Sequence, residues 1–184
     1  EITDSLREIA NESLASQSIS VAGRDIRKMD TLEEYDADIL ICQRVIINLL
    51  DENDQKEALN NLLNIVNTDG LLIFIECFDS GLQSLNQARK EFGLDEMTPA
   101  HHNLYLPDDF FNIPGLKEFD LSQKEFLSSH YFISRALHPT FLSMNKQEFI
   151  RNSEFVSFFT KSFPDSIGTY SQIKFLSFIK NGKN

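Results

Sequence analysis

Leu71-Leu72-Ile73-Phe74-Ile75 is the strongest strand-forming run in the chain, and helical stretches flank it on both sides. Before it, Asp51 is placed to cap a helix that runs to about Val66, with Leu59, Leu62, Leu63 and Val66 at the i, i+3, i+4, i+7 spacing of a core-facing stripe. Asn67-Thr68-Asp69-Gly70 reads as the stop of that helix. After the apolar run, Ser80-x-x-Gln83 is a capping-box pattern for a helix carrying Leu82, Leu85 and Phe92 and ending at Gly93. Upstream, Asp38-Ile39-Leu40-Ile41-Cys42 is a second short apolar run. Its composition suits a strand buried on both faces, as in a parallel sheet. Strand, helix, strand, helix is the α/β alternation, which implies parallel strands joined by right-handed crossovers.

Working outward, Ser5-Leu6-Arg7-Glu8 reads as a capping box, and Leu6, Ile9, Ala10 and Leu14 follow helical spacing. Ser18 to Ala22 alternates around Ile19 and Val21 and reads as a short strand, closed by Gly23-Arg24-Asp25. Past Thr98-Pro99 the rhythm changes. Residues 101–106 are loop-like, and Pro107 is suited to the first position of a short helix. A strand is expected between Lys117 and Phe126, helices near 131–142 and 147–161, and a closing strand over Ile173–Ile179. Phe155, Phe158 and Phe159 share a helix face, which reads as core packing. There is no internal repeat and no linker rich in Pro, Gly or Ser, so residues 1–184 read as one domain.

Composition sets the bounds. The 184 residues carry 17 basic and 28 acidic side chains, a net charge of −11, against the basic surface that nucleic-acid binding requires. No apolar run approaches the ~18 residues of a membrane span. The two cysteines, Cys42 and Cys77, cannot form a disulfide scaffold or a Cys-based zinc site of known spacing, and they read as small buried residues. None of the seven glycines is close enough to another for G-x-G, so the chain has no glycine loop to cradle a phosphate or cofactor.

The order of these segments resembles a class I S-adenosylmethionine-dependent methyltransferase, from the branch acting on small molecules or glycans. Glu1-Ile2-Thr3-Asp4-Ser5 resembles the turn after that family's second strand, and Val21-Ala22-Gly23-Arg24-Asp25-Ile26 its third strand and the acidic residue that follows. Tyr35 to Ile41 resembles the approach to the fourth strand, and Asn67 to Leu72 a turn of the Lys-Pro-Gly-Gly kind. Gln43 to Leu50, Glu76, His102-Asn103-x-Tyr105 and Tyr131 to Leu137 are similar to one subgroup. The fold implied is a Rossmann-like α/β sheet, mostly parallel with an antiparallel last strand. The family's first two strands and glycine-rich loop have no counterpart in this sequence, which leads to the expectation that the chain is the C-terminal majority of such a domain. The resemblance implies a cytoplasmic transferase with S-adenosyl-L-methionine as cofactor, a small-molecule or glycan acceptor, chemistry at oxygen, and no metal. A methyltransferase-like interaction module without activity is the other reading.

Carried over residue by residue, Glu1 matches the acid that accepts from the ribose hydroxyls, Asp25 the acceptor of the adenine amino group with Ile26 beside it, and Gln43 the contact to the methionine end. Glu76, at the end of the next strand, is placed to act as a base or bind the acceptor, and His101 and His102 are candidate bases for a hydroxyl. Arg44, Asn103, Tyr105, Tyr131 and Arg135 are candidate acceptor-binding residues. Tyr131 and Arg135, four apart, share a helix face, and Arg135 suits an anionic acceptor. Each has a plainer alternative: Asp25 an Asx-turn, Gln43 a cap, Glu76 a partner of Arg44 or of backbone N–H groups, the histidines loop hydrogen bonds, and Arg135 an ion pair.

Overall fold

The computed structural model describes residues 4–148, 150 and 153–182. A four-stranded sheet runs in the order β1-β2-β4-β3, built from β1 (Ala37–Gln43), β2 (Val66–Cys77), β3 (Leu116–Asp120) and β4 (Ile173–Lys180). β1 and β2 are parallel, and β4 inserts antiparallel between β2 and β3. Three strands therefore point one way and the last the other, as the α/β reading required. The helices are α1 (Asp4–Leu14), α2 (Glu52–Asn64), α3 (Asp79–Glu91), α4 (Ser128–Phe132), α5 (His138–Met144) and α6 (Glu154–Ser162), with a π-helical turn, Ile133–Leu137, between α4 and α5.

The core forms where the sequence pattern is strongest. Leu72, Phe74, Leu176 and Phe178 of the two central strands pack on Leu59, Leu62 and Leu63 of α2 and on Phe110 and Phe111. Phe111 contacts the rings of Phe74, Phe78 and Phe178, a cluster that fixes the 107–113 segment against the sheet. Asp51 caps α2 through Asn53 N and Asp54 N, as its sequence position indicated.

Several expectations are corrected. Residues 18–22 form no strand. Val21 exchanges its backbone hydrogen bonds with the Asn11 side chain instead, 2.7 and 2.9 Å, so a carboxamide takes the place of a neighbouring strand. β1 is buried on one face only: Leu40 and Cys42 point into the core, while Ile39 and Ile41 are 61% and 65% exposed. β1 lies at the sheet edge, and among the described residues no helix covers its outer face. The apolar stripe of α1 is likewise exposed, and none of its residues is buried. Asn67 to Gly70 is not a turn after the helix but a bulged start of β2, with Asp69 at φ 64° and the register shifting opposite Ala37 and Ile39. A Cβ on Gly70 would meet Val66 Cγ1 at 2.6 Å and Asn67 O at 2.9 Å, so the bulge needs the glycine. α3 begins without the Ser80 cap, because Ser80 Oγ is bonded elsewhere. Residues 108–111 make turns rather than a helix, α6 starts only at Glu154, and Phe158 faces solvent. Among the described residues no helix is long and apolar enough to cross a membrane.

Candidate functional site

The carboxyl ends of β1 and β2 carry the candidate residues, where open α/β sheets hold ligands. β1 ends at Gln43, exposed, and Arg44 follows with φ 54°, a left-handed conformation that is strained for a non-glycine residue. Glu76 holds that turn. It is 0% exposed, and its carboxylate accepts from Val45 N (3.0 Å), Ile46 N (3.2 Å), Ile47 N (3.4 Å) and Cys42 Sγ (3.4 Å). Burial raises the Glu76 carboxyl above its ordinary range, and the four donors only partly oppose this. Burial, with Glu76 alongside, also raises the Cys42 thiol. Both Glu76 oxygens are thus engaged in fixing the chain that presents Arg44.

The loop predicted as chemically dense lies against the end of β2. Leu106 N donates to Cys77 O (2.9 Å), Leu104 N to Ile47 O (2.8 Å) and Phe78 N to Gln172 O (2.8 Å). Gln55, fully buried on α2, secures the loop from below by donating to Leu104 O (2.9 Å) and Leu49 O (3.1 Å). This packing brings Tyr105 to the start of β4, where its hydroxyl donates to Gln172 Oε1 at 2.9 Å. Burial raises the Tyr105 hydroxyl, with Cys77 and Tyr131 adding to the effect, and raises Cys77 to about 11. Tyr131, raised chiefly by burial, is electrostatically coupled to Cys77, Arg135 and Arg44. Arg44, Tyr105 and Tyr131 therefore form one cluster around Cys77, with Arg135 on its margin.

The π-helical turn shapes that margin. π-turns recur at functional sites because they re-aim side chains without ending the helix. Ser134 and Arg135 lie within it, and Arg89 of α3 donates to the Arg135 carbonyl, tying the turn to the sheet's helix layer. Three buried polar atoms, Asn103 Oδ1, Ser134 Oγ and Gln172 Nε2, have no hydrogen-bond partner among the described residues. Nearby, Lys174 anchors the start of β4. Its buried ammonium reaches Ser80 Oγ and Asp108 Oδ1 at 2.7 Å and Glu125 Oε1 at 3.6 Å. Burial raises Glu125, while for Asp108 the bonds from Lys174 and Ser80 outweigh burial and lower it.

The other predicted residues lie apart from this cluster. Asp25 and Ile26 stand beside α2, because Asn61 Nδ2 donates to Ile26 O (3.1 Å) and Arg27 bridges Asp25 to Asp54. Arg27 occupies both Asp25 oxygens, at 2.9 and 2.8 Å, and its bonds hold that carboxyl down at about 2. Asp25 also lines an open cleft of about 450 Å³ with Gly23, Arg24, Asp30 and Glu34. His101 and His102 are exposed, their rings edge to face at 5.0 Å. Glu1 lies outside the described residues. No group of three or more His, Cys, Asp or Glu among the described residues is arranged to hold a metal. Sequence reasoning missed Gln55 and Gln172. Neither sits in a motif, and only burial of a carboxamide marks them out.

Comparisons with known proteins bear on the fold. The family model for Nodulation protein S (NodS) matches residues 3–89. No curated protein matches the chain in sequence. Among solved structures, the N-methyltransferase NodS of Bradyrhizobium japonicum WM9 in complex with S-adenosyl-l-homocysteine is similar at 12% identity and a TM-score of 0.52. That match covers 98% of this chain and 64% of the NodS chain, so the chain spans under two thirds of its length. PKMT2 of Rickettsia typhi is similar at 10% identity and a TM-score of 0.54, covering 98% of this chain and 43% of that one. The MccD protein gives 16% identity and a TM-score of 0.50, covering 98% and 78%. At these identities the likeness is one of fold. The chain has the Rossmann-like fold of class I S-adenosylmethionine-dependent methyltransferases, with its antiparallel strand in place.

Proposed function

We propose that the protein is an S-adenosyl-L-methionine-dependent methyltransferase acting on a small molecule or glycan. The observation that carries this reading is the convergence of Arg44, Tyr105 and Tyr131 at the carboxyl ends of β1 and β2, within a methyltransferase fold. The donor's sulfonium supplies an activated methyl group, and the chain's own task is to hold and align an acceptor away from water. Asp25, on the loop beside α2, and Gln43, at the carboxyl end of β1, are the residues that fit the donor. Asp25 offers an acceptor for an exocyclic amine once Arg27 swings to its second partner, Asp54. Arg44, Asn103, Tyr105, Tyr131 and Arg135 face the acceptor.

Transfer to a hydroxyl oxygen, the expectation from sequence, needs a base. His101 and His102 are the candidates, and they are exposed at the loop's outer end. A second reading, transfer to an amine, is favoured by one observation: Glu76, the carboxylate nearest the cluster, has both oxygens committed to backbone N–H groups. A neutral amine carries its own lone pair and needs no base to begin the attack. NodS, whose fold this chain shares, is an N-methyltransferase, which agrees with this second reading. The test is methyl transfer from labelled S-adenosylmethionine to hydroxyl- and amine-bearing acceptors by the full-length protein. Loss of activity in His102→Gln with hydroxyl acceptors would favour oxygen, and unchanged activity with amines would favour nitrogen. Absence of transfer and of donor binding would refute the methyltransferase reading and leave an interaction module.

A further inference from the structure

Gln172 is 6% exposed, and its carboxamide is only half satisfied. Oε1 accepts from the Tyr105 hydroxyl at 2.9 Å, while Nε2 is buried without a partner. A buried donor left unpaired is destabilising, so such a group in a folded protein calls for a ligand or another compensating role. The Tyr105 bond fixes the plane of the carboxamide and thus the direction in which Nε2 points. Across the same cluster Asn103 Oδ1 is an orphan of the opposite kind, an acceptor without a donor.

Neither Arg44 nor Arg135 makes an ion pair with a carboxylate among the described residues, although acidic side chains outnumber basic ones 28 to 17. The nearby carboxylates are committed: Glu76 to the backbone of residues 45–47, and Glu125 and Asp108 to Lys174. Arg44 acts on Cys77 and on Tyr105, whose hydroxyl holds Gln172, and Arg135 acts on Tyr131 of the same cluster, so two arginines without a carboxylate partner share the neighbourhood of a buried orphan donor, the setting an anion requires.

We propose that Gln172 is an acceptor-binding residue, its Nε2 group donating to an oxyanion (carboxylate or phosphate) of the methyl acceptor beside Arg44 and Arg135. The inference rests on the methyltransferase reading and deepens it: the acceptor is an anionic molecule, and Asn103 Oδ1 is left to accept a hydrogen bond from its hydroxyl or amine. Tyr105 is a positioning residue, acting through Gln172.

The side-chain NH₂ signals of Gln172, assigned by their absence in Gln172→Leu, would be followed by NMR in the ¹⁵N-labelled full-length protein. Sodium acetate and sodium phosphate would be titrated against sodium chloride at matched ionic strength and against glucose. The expected result is a saturable shift with one or both oxyanions and none with chloride or glucose. Which oxyanion binds tells carboxylate from phosphate. Binding should weaken at least tenfold in Arg44→Gln or Arg135→Gln. It should also weaken at least tenfold in the near-isosteric Gln172→Glu, followed by the Arg44 Nε signal, with urea midpoints confirming that the variants fold. The shift should persist with S-adenosylhomocysteine at saturation. A shift abolished by that compound would assign the anion site to the donor's own carboxylate and overturn the proposal. No saturable shift, an equal shift with glucose, or oxyanion binding indifferent to both arginines would also overturn it. Donor binding measured on the same sample separates the two claims. Donor binding without oxyanion binding sinks this inference alone, and oxyanion binding without donor binding sinks the methyltransferase reading.

Discussion

Asp25 and Gln172 are both polar side chains of the candidate site, and their surroundings are opposite. Asp25 sits on an open loop with both oxygens paired to Arg27. Gln172 is buried, and half its hydrogen-bonding capacity is unused. The contrast extends to their neighbourhoods. Around Asp25 the chain from residue 4 to 36 buries little, α1 exposes Leu6 and Ile9, and β1 exposes Ile39 and Ile41. Around Gln172 the strands, the 101–106 loop and the π-turn enclose Cys77, Tyr105 and Tyr131 in a packed cluster. Groups in the first region are satisfied by one another and by water, so a ligand there must displace existing bonds. Groups in the second are held rigidly with capacity to spare, so a ligand there completes bonds that the fold leaves open.

If that contrast is right, substitutions in the buried region cost most. Glu76→Ala leaves three backbone N–H groups unpaired and is expected to cost about 4 kcal/mol in urea denaturation. A cost below about 1 kcal/mol would mean that water replaces the carboxylate and that the turn is not as dry as its burial implies. The same residue carries a pH signature. Its carboxyl is raised in the folded state, so the folded chain holds that proton more tightly than the unfolded one. The stability it contributes is full below the ordinary carboxylate range and is lost as pH rises through the raised value. The difference in urea midpoint between wild type and Glu76→Gln should follow that curve, and a difference independent of pH would contradict the assignment.

Lys174→Met is expected to be next, at about 3 kcal/mol, because it strands Glu125 and Asp108 at the start of β4. Thermal denaturation at two pH values checks this. The loss should shrink in acid, where Glu125 takes up a proton and no longer needs the ammonium. Tyr105→Phe removes one bond to Gln172 and should cost about 1 kcal/mol. The open region should answer with the smallest effect. Ile41→Thr, on the exposed face of β1, should move stability by less than about 0.5 kcal/mol, against about 3 kcal/mol for Leu40→Ala on the buried face of the same strand. Equal costs for the two would show that the outer face of β1 is covered in solution.

The sequence made the α/β alternation readable where apolar runs were long and capped. α2 with its Asp51 cap, the core of β2 and the closing strand β4 all follow from local pattern. It misled where a strand depends on a neighbour. Residues 18–22 have strand alternation but no adjacent strand to pair with, and Asn11 satisfies Val21 instead. Asp38–Cys42 looked doubly buried because its composition is uniformly apolar, and composition does not report whether a layer covers the second face. For the site, residue type and order singled out Arg44, Tyr105 and Tyr131, which the fold does bring together. Gln172 and Gln55 stayed invisible because a glutamine in isolation carries no motif. Their meaning comes from long-range contacts, Gln172 with Tyr105 and Gln55 with Leu104.

The most direct test of the account is calorimetric titration of the full-length protein with S-adenosylmethionine, beside its Asp25→Ala and Tyr105→Phe variants. The account predicts saturable binding that Asp25→Ala weakens at least tenfold and Tyr105→Phe leaves unchanged, since the first residue faces the donor and the second the acceptor. No binding, or equal binding in all three proteins, would contradict it.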